Sequence, residues 1–129
     1  MAEAIARQDA PDLWDVSSGG LTPLGYVAQL TKETIAKNNY STAGLTSKPI
    51  MHSHWQEVDL VINMSGFDKD RVFEDSEKVE DWPVTDPFGA EPELYQEVFD
   101  DIHARIIELA ERIRSLITQI ASADSQKVE

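Results

Sequence analysis

Val58-Asp59-Leu60-Val61-Ile62-Asn63-Met64 is the stretch on which the fold turns. Its apolar residues follow one another almost without a break. A strand with one face in water alternates apolar and polar residues. A near-continuous run suits a strand covered on both faces, as in a parallel sheet between helices. Gly66 and Asp68 follow as breakers and end it. Downstream, Val79 to Val84 reads as a second short strand. Pro83 cannot donate to a ladder, which puts that strand at a sheet edge or makes the proline its end. Asp86-Pro87-Phe88-Gly89 then reads as a turn.

The clearest helix comes last. Val98, Ile102, Ile106, Leu109, Ile113, Leu116, Ile117 and Ile120 recur at helical spacing, which predicts one helix over Pro92 to Ala121. Glu108 and Arg112 stand four apart on its solvent side and support it. The stripe is expected to face the sheet, with pairing to another helix as the alternative. Ile113 to Ile120 need a further partner if the sheet stops short of them. Asp124 to Glu129 reads as a frayed polar tail.

On the other side of the central run, Tyr40 to Pro49 reads as a polar loop, and a short helical stretch precedes Val58. A helix is expected from about Pro23 to Asn38, with Val27, Leu30, Thr34 and Ile35 inward. Asn38 and Asn39, which tolerate left-handed geometry, end it. Trp14 to Ser18 reads as a short strand closed by Gly19-Gly20. Met1 to Gln8 reads as a helix with Ala2, Ile5 and Ala6 as its stripe. Helices alternating with strands mean an α/β domain with a parallel sheet, here a single domain over residues 1–123.

Composition narrows the function. The 129 residues suit one domain, and 41% hydrophobic with 27% charged residues is ordinary for a soluble protein. A net charge of -13 repels polyanions and argues against a nucleic-acid partner. No apolar run approaches the roughly 20 residues of a membrane span, and Glu3 and Arg7 interrupt the start, so no signal peptide or membrane contact is expected. A cytoplasmic location is the expectation. The chain has no cysteine, which removes disulfides, thiolate metal sites and any cysteine nucleophile at once. His52-Ser53-His54 has no third ligand nearby and reads as surface rather than as a metal pair. Neither metal nor cofactor is expected.

Three ordered segments carry a family resemblance. Met1-Ala2-Glu3-Ala4-Ile5 resembles the start of a helix that follows a phosphate loop. Val16-Ser17-Ser18-Gly19-Gly20-Leu21 resembles the strand end after it. Val58 to Met64, followed by Asp81-Trp82-Pro83-Val84-Thr85-Asp86-Pro87 and the long helix, resembles the remainder. In this order they are similar to the low-molecular-weight protein tyrosine phosphatase family. Gly20-Leu21, Ser47-Lys48-Pro49-Ile50 and Glu80-Asp81-Trp82 look closer to its thioredoxin-coupled arsenate reductase branch. That branch relays a disulfide through two further cysteines after the third strand, where this chain reads Ser65-Gly66-Phe67.

The resemblance implies a flavodoxin-like parallel sheet of four strands, order 2-1-3-4, flanked by helices. It also implies a Cys-x5-Arg loop that cradles a phosphoryl group at a helix N-terminus. The thiolate attacks phosphorus, and an Asp from another loop protonates the leaving oxygen. By resemblance Asp86 is that general acid, Phe88 lines the pocket rim and Ser18 supports the phosphate loop. The nucleophile and its Arg would lie immediately before Met1, so the expectation is an N-terminally truncated, inactive form without the family's first, central strand, with a non-catalytic interaction protein or an arsenate reductase-like relative as the alternative. Phosphotyrosine or a small phosphomonoester would be the substrate of a longer form. The lost strand is expected to be replaced, either by the Trp14 segment moving beside Val58 or by a homo-oligomer formed through the sheet edge or the long helix.

Overall fold

Val61–Asn63 forms β1 and Val79–Asp81 forms β2. They pair in parallel, with Val61 opposite Val79, Ile62 opposite Glu80 and Asn63 opposite Asp81. The computed structural model describes residues 1–20, 25, 27–49, 57–73 and 76–127. His52 and His54, and most of the helical stretch expected before Val58, lie outside them. Among the described residues the sheet has two strands, and Gly20 and Pro49 form a separate parallel bridge. The crossover between β1 and β2 contains the short helix α3, Lys69–Val72. Its N-cap Asp68 accepts from the Asp70 amide at 2.9 Å.

β1 is shorter than the apolar run predicts. Val61 and Asn63 are buried and Val58 is half-buried against Val61, Phe73 and Val79, but Asp59 and Leu60 are exposed, so the run's first half is only partly covered by the described residues. Val61, Val79 and Phe73 pack together on one side of the sheet, and Ile62 and Met64 join the main core on the other. That arrangement matches the two covered faces read from the sequence.

The N-terminal helix α1 spans Ala2–Asp9, and α2 spans Gln29–Lys37. The start expected at Pro23 lies outside the described residues, and Val27 and Ala28 are not helical. Thr34 and Ile35 are buried as read, while Val27 and Leu30 are half-buried. Asn39 takes the left-handed conformation at φ 67°, closing α2 as its residue type allows. The long helix α4 runs over Pro92–Lys127, past the expected Ala121 and through most of the expected tail. No helix among the described residues is long and apolar enough to cross a membrane.

The strand expected over Trp14 to Ser18 does not form. The polar bonds of this segment go to α1 instead of to a sheet. The Trp14 indole Nε1 donates to the Ala6 carbonyl at 2.8 Å, and Arg7 Nη2 donates to the Val16 carbonyl at 2.9 Å. Trp14 and Val16 insert their side chains beside the main core, so the segment caps the core and does not move beside β1.

α4 organises that core. Val98, Phe99, Ile102, Ile106 and Leu109 bury against Ile5 and Ala6 of α1 and against Trp82 just after β2. Each such side chain contributes about 1.5–3 kcal/mol on burial. Asn38, at the end of α2, exchanges two amide hydrogen bonds with Gln96 of α4, at 2.8 and 3.1 Å. Tyr40 packs on Phe99 with ring centroids 5.6 Å apart, and its hydroxyl donates to Asp9 at 2.8 Å. Burial, together with the hydrogen bond and charge of Asp9, pushes the Tyr40 phenol up to about 12.

Glu80 ties β2 to the far half of α4. Arg112 donates to its two carboxylate oxygens at 2.7 and 3.0 Å, and the Trp82 indole donates to it at 2.7 Å. The Arg112 hydrogen bond, opposed by desolvation and helped by Trp82, holds the Glu80 carboxyl below its ordinary value of 4.5. A carboxylate with a depressed folded-state pKa stabilises fully above its unfolded value and loses that contribution as pH falls through the folded one. Both side chains are partly exposed, so solvent screening limits the pair to about 0.5–1 kcal/mol. Glu80→Gln is therefore expected to lower the urea midpoint at pH 7, with the difference from wild type closing as pH falls below 4.5 and through the depressed folded-state value. An undiminished gap at low pH would assign the effect to packing.

Candidate active site

The cleft that could hold a ligand lies at the C-terminal ends of β1 and β2, where open parallel sheets bind their ligands. It encloses about 330 Å³. One wall is Met64 and Ser65, following β1, and another is Val84 to Pro87, following β2. Met1 and Ala2 at the start of α1, Thr31 of α2, and Val98 and Ile102 of α4 complete it. A helix N-terminus offers unpaired N–H groups and the positive end of the helix dipole, both of which favour an anion. The α-amino group of Met1 has a lowered pKa because it is buried, an effect partly offset by the charge of Glu3.

Asp86 lines this cleft. Its Oδ1 accepts from the Phe88 amide at 3.1 Å, a side-chain turn that fixes the loop from Asp86 to Gly89. The second oxygen has no bond of this kind among the described residues. Phe88 follows Pro87 and is exposed. Ser18 is not part of the cleft wall. Its hydroxyl donates to Glu3 Oε1 at 3.0 Å, and Arg7 reaches the other oxygen of the same carboxylate at 3.6 Å. Buried Glu3 thus anchors the residue 18 turn to α1. The structure brings Asp86 to the cleft, leaves Phe88 beside it and holds Ser18 on the flank of α1.

Asn63, at the end of β1, escaped the sequence reading as a site residue. It is 5% exposed and its amide is saturated. Its Nδ2 donates to the Phe67 carbonyl and to Asp81 Oδ1, both at 2.8 Å. Its Oδ1 accepts from the Ser65 amide at 3.2 Å and from the Ser65 hydroxyl at 2.7 Å. One side chain therefore shapes the loop from Ser65 to Phe67 and locks it to β2. The available signal was a polar residue inside a buried apolar strand, which is placed there only with its hydrogen bonds met. No group of three or more His, Cys, Asp or Glu is placed to hold a metal among the described residues.

Comparison with known proteins places this geometry. A Halobacterium salinarum protein named as a candidate arsenate reductase is 26% identical over 103 residues, spanning 80% of this chain and 72% of its own. An arginine phosphatase from Geobacillus stearothermophilus superposes with a TM-score of 0.80 at 20% identity, covering 92% of this chain and 86% of that one. The tyrosine phosphatase Wzb from Escherichia coli K30, solved with sulphate, gives 0.78 at 16% identity, with 87% of each chain covered. An arsenate reductase in its phosphate-binding state gives 0.74 at 25% identity, covering 87% of this chain and 86% of that one. These likenesses agree with the flavodoxin-like α/β fold read from the sequence. The profile of the low molecular weight phosphotyrosine protein phosphatases matches residues 1–119, and the chain belongs to that family.

Proposed function

We propose that these residues carry the acid-donating half of a phosphomonoesterase site, with Asp86 as the general acid, and do not hydrolyse phosphoesters by themselves. The observation that supports this is the pairing of the Asp86 loop with the start of α1 across one cleft, in a sequence with no cysteine. In the family's reaction a thiolate forms the bond to phosphorus, the ester P–O bond breaks, and an Asp gives its proton to the departing oxygen. Asp86 can serve the last of these. Ser65, one of the hydroxyls in the cleft wall, already donates to Asn63 Oδ1. Phe88 offers an apolar face to the ring of an aryl phosphate, and Ser18, held by Glu3, buttresses the start of α1. The substrates of a form that includes a Cys-x5-Arg loop are phosphotyrosine or small phosphomonoesters.

Hydrolysis of p-nitrophenyl phosphate by the 129-residue chain is expected at background. Preceded by a Cys-x5-Arg segment, the chain is expected to turn over, and Asp86→Ala in that form to slow it about 10²–10⁴-fold. Turnover by the 129 residues that vanishes in Asp86→Ala would sink the proposal. Arsenate reduction is the second reading, favoured by the Halobacterium relative and the arsenate reductase structure. It needs thiols to supply two electrons, and these residues contain none.

A further inference from the structure

Met1 and Ala2 wall the cleft that Asp86 also lines, so the placement of α1 sets the geometry between them. Apolar packing fixes that placement poorly. Of the apolar residues buried on α1, Ala4 and Ala6 are small, and Ile5 is the one large side chain. A nearly smooth helix face can slide or turn against its neighbours with little loss of interlocking. Met1, the N-cap, makes no side-chain cap bond. Polar contacts hold the helix instead, at three levels. Gln8 and Asp9 bond the loop after α2, through Asn39, Ser41 and Tyr40. In the middle, the Trp14 indole reaches the Ala6 carbonyl and Arg7 reaches the Val16 carbonyl. At the cleft end, the Glu3 side chain is 5% exposed and accepts from the Ser18 hydroxyl at 3.0 Å. Among the described residues, Glu3 is the polar link from the first turn of α1 to another segment.

We propose that Glu3 is a positioning residue, whose carboxylate acts through Ser18 to set the start of α1 against the Asp86 loop. The proposal rests on Asp86 as the general acid, because it fixes the wall across the cleft from that acid. Stability does not explain a carboxylate at this position. Burying one costs free energy that its hydrogen bonds return only in part, and an apolar side chain of similar volume is often neutral or stabilising. Ser18 is exposed and Arg7 half-exposed, so both could turn to water if residue 3 were apolar. Direction explains it better. Arg7 braces Glu3 with Nη1 at 3.6 Å while its Nη2 holds the Val16 carbonyl at 2.9 Å. The Ser18 and Val16 contacts are both directional, and together they select one rotation of α1 that a smooth apolar face would not.

Separating stability from placement tests this. In the 129-residue chain, Glu3→Met is expected to melt within about 4 °C of wild type. Its residual dipolar couplings over the Ala2 to Ala6 amides are expected to change relative to those of α4. Ser18→Ala, which removes the other partner from the surface, should change the same couplings. Glu3→Gln keeps an acceptor for Ser18 and should keep the wild-type values. With a Cys-x5-Arg segment placed before Met1, Glu3→Met is expected to lower kcat for p-nitrophenyl phosphate about 10-fold at little-changed KM. Glu3→Gln should recover most of that loss. Wild-type couplings in Glu3→Met or in Ser18→Ala overturn the proposal. So does a Glu3→Met chain that unfolds, since the carboxylate would then serve stability. A longer form that does not turn over at all would count against Asp86 as the acid, while the couplings still decide what Glu3 does.

Discussion

Phe99→Ala is expected to destabilise the protein by about 3–5 kcal/mol, a large share of the roughly 5–15 kcal/mol that holds a domain folded. Phe99 is 2% exposed and sits where α1, α2 and α4 converge. Tyr40 contacts its ring at a tilt, and His103 stacks on it with centroids 6.1 Å apart. Truncation removes the ring's transfer free energy and leaves a void that three helices must close around. Those helices are pinned by the Asn38–Gln96 amide pair and the Tyr40–Asp9 bond, so collapse into the void is limited. Urea denaturation measures the loss directly, and Phe99→Leu should recover much of it. A loss under about 1 kcal/mol would mean that α4 does not bear on the core as described.

Asn63→Ala should cost about 2–4 kcal/mol even though it removes little apolar contact. Four hydrogen bonds end together, and the Phe67 carbonyl, the Ser65 hydroxyl and the Asp81 carboxylate lose a partner in a partly buried setting. Asn63→Asp keeps the acceptor toward Ser65. It loses both donors and sets a second carboxylate against Asp81, so it should rescue nothing. The change should also reach the cleft. Amide resonances of Ser65 to Phe67 are expected to shift in both variants, with those of α2 unmoved. Variants as stable as wild type, with unshifted loop resonances, would show that Asn63 does not hold that wall.

What was legible in the sequence followed from periodicity. The stripe of α4 and the covered faces of β1 were written in the spacing of Ile, Leu and Val, and the Asp86 turn in its dipeptide. Trp14 to Ser18 misled for a local reason: its alternating pattern fits a strand, but Trp14 and Arg7 satisfy the segment's polar groups through α1. The extent of β1 was overread because a pattern records apolarity, and it cannot say how far the covering layers reach. Asn63 and Glu3 stayed hidden in part because one partner of each, Asp81 and Ser18, lies 18 and 15 residues away, beyond any local motif.

The cleft draws its walls from residues 1–2, 31, 64–65, 84–87, 98 and 102, so it exists only when the whole chain is assembled. A molecule that occupies it binds the native state and has nothing comparable to hold in the unfolded one. Mass action then raises the melting temperature with ligand concentration, by about 2.7 kcal/mol of added stability at a hundredfold excess over the dissociation constant. Occupancy can therefore be read without turnover, and thermal shift becomes the assay for a site whose nucleophile is not among these residues.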